Sequence, residues 1–203
     1  QVLSGNTITI SSGLASNTAY TFTVTAINAG GTSLPSSADS NSITTLADAP
    51  TSVNATATGA NSATITFTAP SGTGTITNYT ATSTPPASLT QVLSGNTITI
   101  SSGLASNTNY TFTVVAINAG GTSLASSASN SITTAPSAPT NVIATATGKY
   151  TATLTFTAPS FSGTITNYIA TSPSSASLTQ VCSGTTITIS GLLSNSKIGR
   201  AHV

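Results

Sequence analysis

Side chains able to do acid–base, nucleophilic or metal chemistry are few in this sequence and poorly placed. It has one histidine, His202, one cysteine, Cys182, two carboxylates, Asp39 and Asp48, and no glutamate. A serine nucleophile needs a neighbouring base, commonly a histidine oriented by a carboxylate, and His202 stands beside the last residue of the chain. The two aspartates lie in or beside segments that separate repeated blocks. They form no carboxylate pair for acid–base work, and a calcium site built from several oxygen ligands lacks donors. The sequence therefore assigns no catalytic residue, no metal ligand and no cofactor-binding residue. Cys182 occupies a position that other copies of the same segment fill with Leu3 and Leu93, so it reads as a small apolar core residue. With no second cysteine there is no internal disulfide framework. Gly30-Gly31 and Gly120-Gly121 could suggest a phosphate cradle, but no helical pattern follows them and no lysine accompanies them; they read as turns. Asn54-Ala-Thr, Asn78-Tyr-Thr and Asn109-Tyr-Thr match the N-glycosylation pattern, which arises by chance in a chain rich in Asn and Thr.

Composition sets what must hold such a chain together. Of its 203 residues only 2% are charged, against roughly 25% in an ordinary domain. Serine and threonine together exceed a third of the chain, so hydroxyls, not charges, must cover its surface. The charges are Asp39, Asp48, Lys149, Lys197 and Arg200, and two of the three cations fall in the tail. Residues 198–203, Ile-Gly-Arg-Ala-His-Val, break the preceding pattern and resemble the translation of a short-read sequencing adapter. Without them no basic patch for nucleic acid remains. No apolar run approaches the roughly 18 residues of a membrane span.

An internal repeat decides the fold. Residues 1–38 recur at 91–128 with three changes, Ala19 to Asn109, Thr25 to Val115 and Pro35 to Ala125. Asp39 has no counterpart. Beyond it Ala55–Gly59 recurs at Ala144–Gly148, Thr66–Ser71 at Thr155–Ser160 and Gly74–Tyr79 at Gly163–Tyr168. A period of about 90 residues suits one small sandwich, not a solenoid turn. The chain divides into the back half of one repeat (1–46), a complete repeat (47–134), the front of a third (135–197) and the adapter-like tail (198–203). Within the complete repeat apolar residues alternate with threonines. Val53, Ala55 and Ala57 share one face; Ala63, Ile65 and Phe67 another; then come Ile76, Tyr79 and Ala81, a short strand near Leu89–Leu93, Ile98 and Ile100, and Tyr110, Phe112, Val114 and Ala116. A last strand ends near Ser131–Thr134. The spacing predicts seven strands and an all-β sandwich. Outward Thr-x-Thr runs such as Thr64-x-Thr66-x-Thr68 could offer a flat hydroxyl surface to ice or glycan, but threonine is also the water-soluble strand former, and sheet twist spoils a long flat lattice.

The run Gly103-Leu-Ala-Ser-Asn-Thr-Asn-Tyr-Thr-Phe-Thr-Val-Val-Ala-Ile-Asn-Ala-Gly-Gly121, followed by Thr-Ser, resembles the end of a fibronectin type III domain of the bacterial surface or secreted kind. The resemblance places Leu104 and Tyr110 at the family's paired Leu and Tyr, Tyr110 forming a tyrosine corner whose hydroxyl bonds upstream backbone. Phe67 and Phe156 stand where the family usually has tryptophan, and Pro50 and Pro139 where a proline opens each domain. The resemblance implies tandem seven-stranded, immunoglobulin-like sandwiches whose structural residues include Leu104, Tyr110, Phe67, Tyr79, Phe112 and Val114. It further implies a non-catalytic spacer or stalk, in an extracellular or cell-surface protein of bacterial type, whose partners are neighbouring domains of the same chain. Binding of surface glycans or proteins, or service as an accessory domain of a secreted hydrolase, is the alternative. Exposed aromatics for such binding reduce to Tyr150 and Phe161.

Overall fold

The computed structural model describes residues 1–37, 39–160, 163–172 and 178–193. Its regular elements are all strands. The first copy carries β1 (Val2–Ser4), β2 (Thr7–Thr9), β3 (Ala19–Tyr20), β4 (Ile27–Asn28), β5 (Gly31–Thr32) and β6 (Ile43–Thr44). The middle copy carries β7 (Thr51–Ala57), β8 (Ala63–Thr68), β9 (Ile76–Thr84), β10 (Thr90–Ser94), β11 (Thr97–Ser102), β12 (Asn109–Asn118), β13 (Gly121–Thr122) and β14 (Ile132–Thr133). The third carries β15 (Thr140–Gly148), β16 (Thr151–Thr157), β17 (Thr179–Ser183) and β18 (Thr186–Ser190). The chain forms two compact units: residues 1–57, 62–103 and 110–132 make one, and 58–61, 104–109 and 133 onward make the other.

In the middle copy the period-two pattern becomes two antiparallel sheets. One has the order β10-β11-β8-β7; in the other β12 is flanked by β13 and β14 and pairs with β9. Register places like with like. Ile65 faces Ile98 and Ala63 faces Ile100, Ala55 faces Ile65, and Ala81 faces Val114. Ala63, Ile65, Ile100, Val114 and Ala116 are wholly buried, and Ile98 and Phe112 nearly so. Each large apolar side chain so buried contributes about 1.5–3 kcal/mol, which one thin core requires. Threonines on the opposite faces pair across strands, Thr64 opposite Thr99 and Thr56 opposite Thr64, and the Thr82 and Thr113 hydroxyls share a 2.8 Å hydrogen bond.

Register shifts break strict alternation at several points, one of them in the pairing of β10 with β11 between Thr90 and Gln91. The pairing of β9 with β12 shifts between Ile117 and Asn118, which puts Ile76 opposite Asn118 and Asn78 opposite Ile117. The extra residue, Thr77, bonds the Ile117 carbonyl through its hydroxyl at 3.1 Å. This bulge accounts for the slip in parity between Ile76 and Tyr79. In β7 the register shifts between Thr51 and Asn54, where Ser52 has φ 52°, and Asn141 repeats it in the third copy with φ 53°.

The first copy pairs only within itself, as two-stranded ribbons β1-β2, β3-β6 and β4-β5. Its residues give a controlled comparison. Ile8 is 43% exposed and Val24 54%, whereas their counterparts Ile98 and Val114 are 1% and 0% exposed. The side chains are the same; the difference is the facing sheet, for which the sequence holds no front half of this copy. The third copy forms one sheet, β15-β16-β18-β17, over a small core of Leu154, Ala170, Ile187 and Ile189.

Candidate functional site

The residues singled out by the sequence are brought together as a core. Leu104, Tyr110, Phe67, Phe112 and Val114 are buried, and Tyr79 is half-buried. Phe67 and Tyr79 pack with centroids 4.6 Å apart at 51°, a favourable tilted geometry. Phe156 and Tyr168 repeat the pair at 4.6 Å and 56°. Burial raises the Tyr79 pKa above its ordinary 10.0. The folded state thus favours the neutral phenol, and this contribution to stability is whole below about 10 and is lost as pH rises beyond it. Residues 47–134 contain Asp48 and no Glu, His, Lys or Arg. Thermal melting at pH 7, 9 and 11 is therefore expected to give equal midpoints at the first two and a lower one at the third.

The tyrosine corner is visible in the first copy, where the Tyr20 hydroxyl oxygen accepts from the Ala15 N–H at 2.8 Å. Tyr110 occupies the matching position and is 4% exposed. Tyr110→Phe is expected to lower stability by about 1–3 kcal/mol through an unsatisfied buried backbone group, read by urea unfolding; a loss within error of zero contradicts the corner.

Sequence reasoning missed a second set of functional groups, the polar side chains that complete the backbone bonding. After β13 the chain does not continue as a strand. Instead Ser123, Ser126 and Ser129, each three residues on, run beside alternate residues of β12. Their N–H groups donate to the carbonyls of Ala116, Val114 and Phe112 at 2.9, 2.9 and 2.8 Å. Their hydroxyl oxygens accept from the N–H groups of the same three residues at 2.9, 2.9 and 3.0 Å. Each serine replaces the carbonyl that a regular strand would offer, and its O–H donates a hydrogen bond to the carbonyl of the next residue. The first copy builds the ladder from Ser33, Ser36 and Ser40 beside Ala26, Val24 and Phe22. The inserted Asp39 falls between two rungs and leaves both in place.

Amide side chains close the two edges. Gln91 Oε1 accepts from the Ala81 N–H at 2.8 Å while its Nε2 donates to the Ala81 carbonyl at 3.2 Å. Gln180 treats Ala170 the same way at 2.8 and 3.1 Å. At the other edge Asn130 accepts from the Ala55 N–H at 2.8 Å and donates to its carbonyl at 3.0 Å. Each amide imitates one residue of a paired strand, so the two sheets are tied by neutral groups.

Candidate chemistry is placed as follows. Among the described residues no group of three or more His, Cys, Asp or Glu could hold a metal. Asp48 accepts a hydrogen bond from the Ser16 hydroxyl at 2.6 Å. Cys182 is half-buried and packs against the third copy's core. Tyr150 is 45% exposed, with the Lys149 ammonium 5.0 Å from its ring centre; Phe161 and residues 198–203 lie outside the described residues. An apolar cleft in the first copy is lined by Ile8, Ile10, Leu14, Phe22, Val24 and Ile43. Their counterparts Ile98, Ile100, Leu104, Phe112, Val114 and Ile132 are all core. The cleft is thus the open face of a sandwich, not a ligand pocket. No helix of the described residues is long and apolar enough to cross a membrane.

Comparison with known proteins agrees with this geometry. The fibronectin type III domain family matches residues 48–132. Chitinase A1 of Niallia circulans is 38% identical over 117 residues, 52% of this chain, which spans 16% of that enzyme. Among solved structures, titin domains match at 26% identity and TM-score 0.38, covering 48% of this chain and 36% of theirs. The fibronectin type-III domain of human fibronectin type III domain containing protein 3 matches at 23% identity and TM-score 0.34, covering 48% of this chain and 94% of that one. Residues 48–132 are thus a fibronectin type III domain, and partial copies of that segment, altered at some positions, stand on either side of it.

Proposed function

We propose that the chain is a non-catalytic spacer of tandem fibronectin type III repeats within a larger extracellular protein of bacterial type. One observation carries this reading. Ser123, Ser126, Ser129, Gln91 and Asn130 of the middle repeat are fixed in place by bonds to its own backbone. Ligand recognition needs a few polar groups converging on a concave, partly apolar surface, and here those groups serve the fold. A coat of neutral hydroxyls also keeps the repeat indifferent to salt, which suits a stalk in variable surroundings. The likeness to a chitinase supports a place beside a secreted hydrolase. It also favours a second reading, direct binding of polysaccharide, for which exposed Tyr150 is the aromatic platform.

The two readings separate in a co-sedimentation assay of the chain with insoluble chitin and cellulose. The spacer reading expects the protein in the supernatant with both. Retention that is lost in Tyr150→Ala would overturn it in favour of carbohydrate binding.

A further inference from the structure

The first unit contains a polar arrangement that the spacer reading does not by itself explain. Asn17 of the first copy has φ 44° and is 2% exposed. Its N–H donates to the Leu46 carbonyl at 2.9 Å, which fixes it to the end of its own copy, and its carbonyl accepts from the Gly74 N–H at 2.6 Å. Its Nδ2 donates to the Gly74 carbonyl at 2.8 Å. Asn118 completes the arrangement. Its Nδ2 donates to Asn17 Oδ1 at 2.9 Å and to the Thr45 carbonyl at 2.8 Å, while its Oδ1 accepts from the Gly120 and Gly121 N–H groups. Gly74, Asn118 and Gly120 belong to the middle copy; Asn17, Thr45 and Leu46 belong to the first.

The glycines are required by the approach. A Cβ on Gly74 would lie 2.7 Å from Asn17 Oδ1, one on Gly72 2.6 Å from Asn17 Cβ, and one on Gly120 2.2 Å from the Thr44 carbonyl. The first copy carries the same turn as Asn28, Gly30 and Gly31, and there nothing is held. Asn28 is exposed and its Oδ1 still accepts from the Gly30 N–H at 2.8 Å, yet a Cβ on Gly31 would meet nothing. Asn118, in the identical local sequence, is 5% exposed. The turn is therefore built by its own residues, and its burial comes from the copy before it.

The second unit repeats the close approach without the side-chain bond. Asn107 has φ 46°, its N–H donates to the Ala135 carbonyl at 3.0 Å, and a Cβ on Gly163 would lie 2.5 Å from the Asn107 carbonyl oxygen. Asn107 Nδ2 is buried with no hydrogen-bond partner, where Asn17 Nδ2 has the Gly74 carbonyl.

We propose that Asn17, Gly74 and Asn118 form a neutral clasp that fixes the middle repeat to the one before it, and that the Asn28–Gly31 turn is the seat for the matching asparagine of a preceding repeat. The proposal rests on the repeats standing in tandem and is indifferent to whether they bind a ligand. Four hydrogen bonds of the clasp cross the junction, three donated by asparagine side-chain amides and one by the Gly74 N–H to the Asn17 carbonyl; none is an ion pair, so salt does not screen them.

Amide hydrogen exchange by NMR on the whole chain tests it, because the Gly74 N–H is protected only while the clasp is shut. Asn17→Gly keeps the left-handed backbone and deletes the side chain; Asn118→Ala deletes the other partner. Each is expected to speed Gly74 exchange about tenfold or more, and Asn17→Gly to leave the core amide of Ile65 unchanged. An unprotected Gly74 in the parent, or a rate unmoved by Asn17→Gly, overturns the clasp. Neither result bears on the spacer reading, whose failure appears as retention on polysaccharide.

Discussion

Ser126→Ala is expected to destabilise the middle repeat by about 1–3 kcal/mol, far more than a serine-to-alanine change outside regular secondary structure normally costs. The hydroxyl is the sole replacement for a strand carbonyl opposite Val114, whose N–H donates to it at 2.9 Å in a buried setting. Removing it strands that N–H, because alanine offers no acceptor in its place. Replacing Ser123, Ser126 and Ser129 together strands three such groups, and the loss is expected to exceed about 3 kcal/mol, a large share of a small domain's stability. Ser127→Ala is the control: that residue is exposed and the change should stay within about 0.5 kcal/mol. Urea unfolding of the chain reads all three.

Gly103→Ala is expected to be still more damaging, by about 3 kcal/mol or more. Gly103 has φ 108°, where an L side chain is strained. Its Cβ would also stand 2.1 Å from the Ser88 carbonyl oxygen and 3.1 Å from Leu89 Cα, so backbone must move on both sides. Gly95→Ala separates strain from clash. Gly95 has φ 56° and nothing within 4 Å of the added atom, so only the left-handed penalty of roughly 1–2 kcal/mol applies. Comparable melting temperatures for the two variants would contradict the close approach at Gly103.

What could be read from the sequence was the part governed by period two. Ala63, Ile65 and Phe67 and Phe112, Val114 and Ala116 alternate with threonine because each strand buries one face, and burial follows directly. The serine ladder was not legible, because its period is three along one segment and two along its neighbour, and Ser-x-x-Ser-x-x-Ser reads as loop. Its signal was nonetheless present: Ser123, Ser126 and Ser129 recur as Ser33, Ser36 and Ser40 with the Asp39 insertion absorbed between rungs. The amide clamps of Gln91 and Asn130 were hidden for another reason. A glutamine in a polar strand carries no periodic signature, and its partner Ala81 is identified only by the fold. The Gly120-Gly121 turn was legible as a turn, but the close approach of Thr44 and Leu46 of the preceding copy to its glycines was not, because those residues are far away in sequence.

A spacer repeat is a mechanical element, held here by its own backbone and neutral side chains, and stretching single chains by their ends tests that role. Residues 48–132 are expected to open in one cooperative step releasing on the order of 250 Å, from about 3.3–3.6 Å per extended residue less the folded span. Gradual extension, or the same length released in many small events, would contradict it.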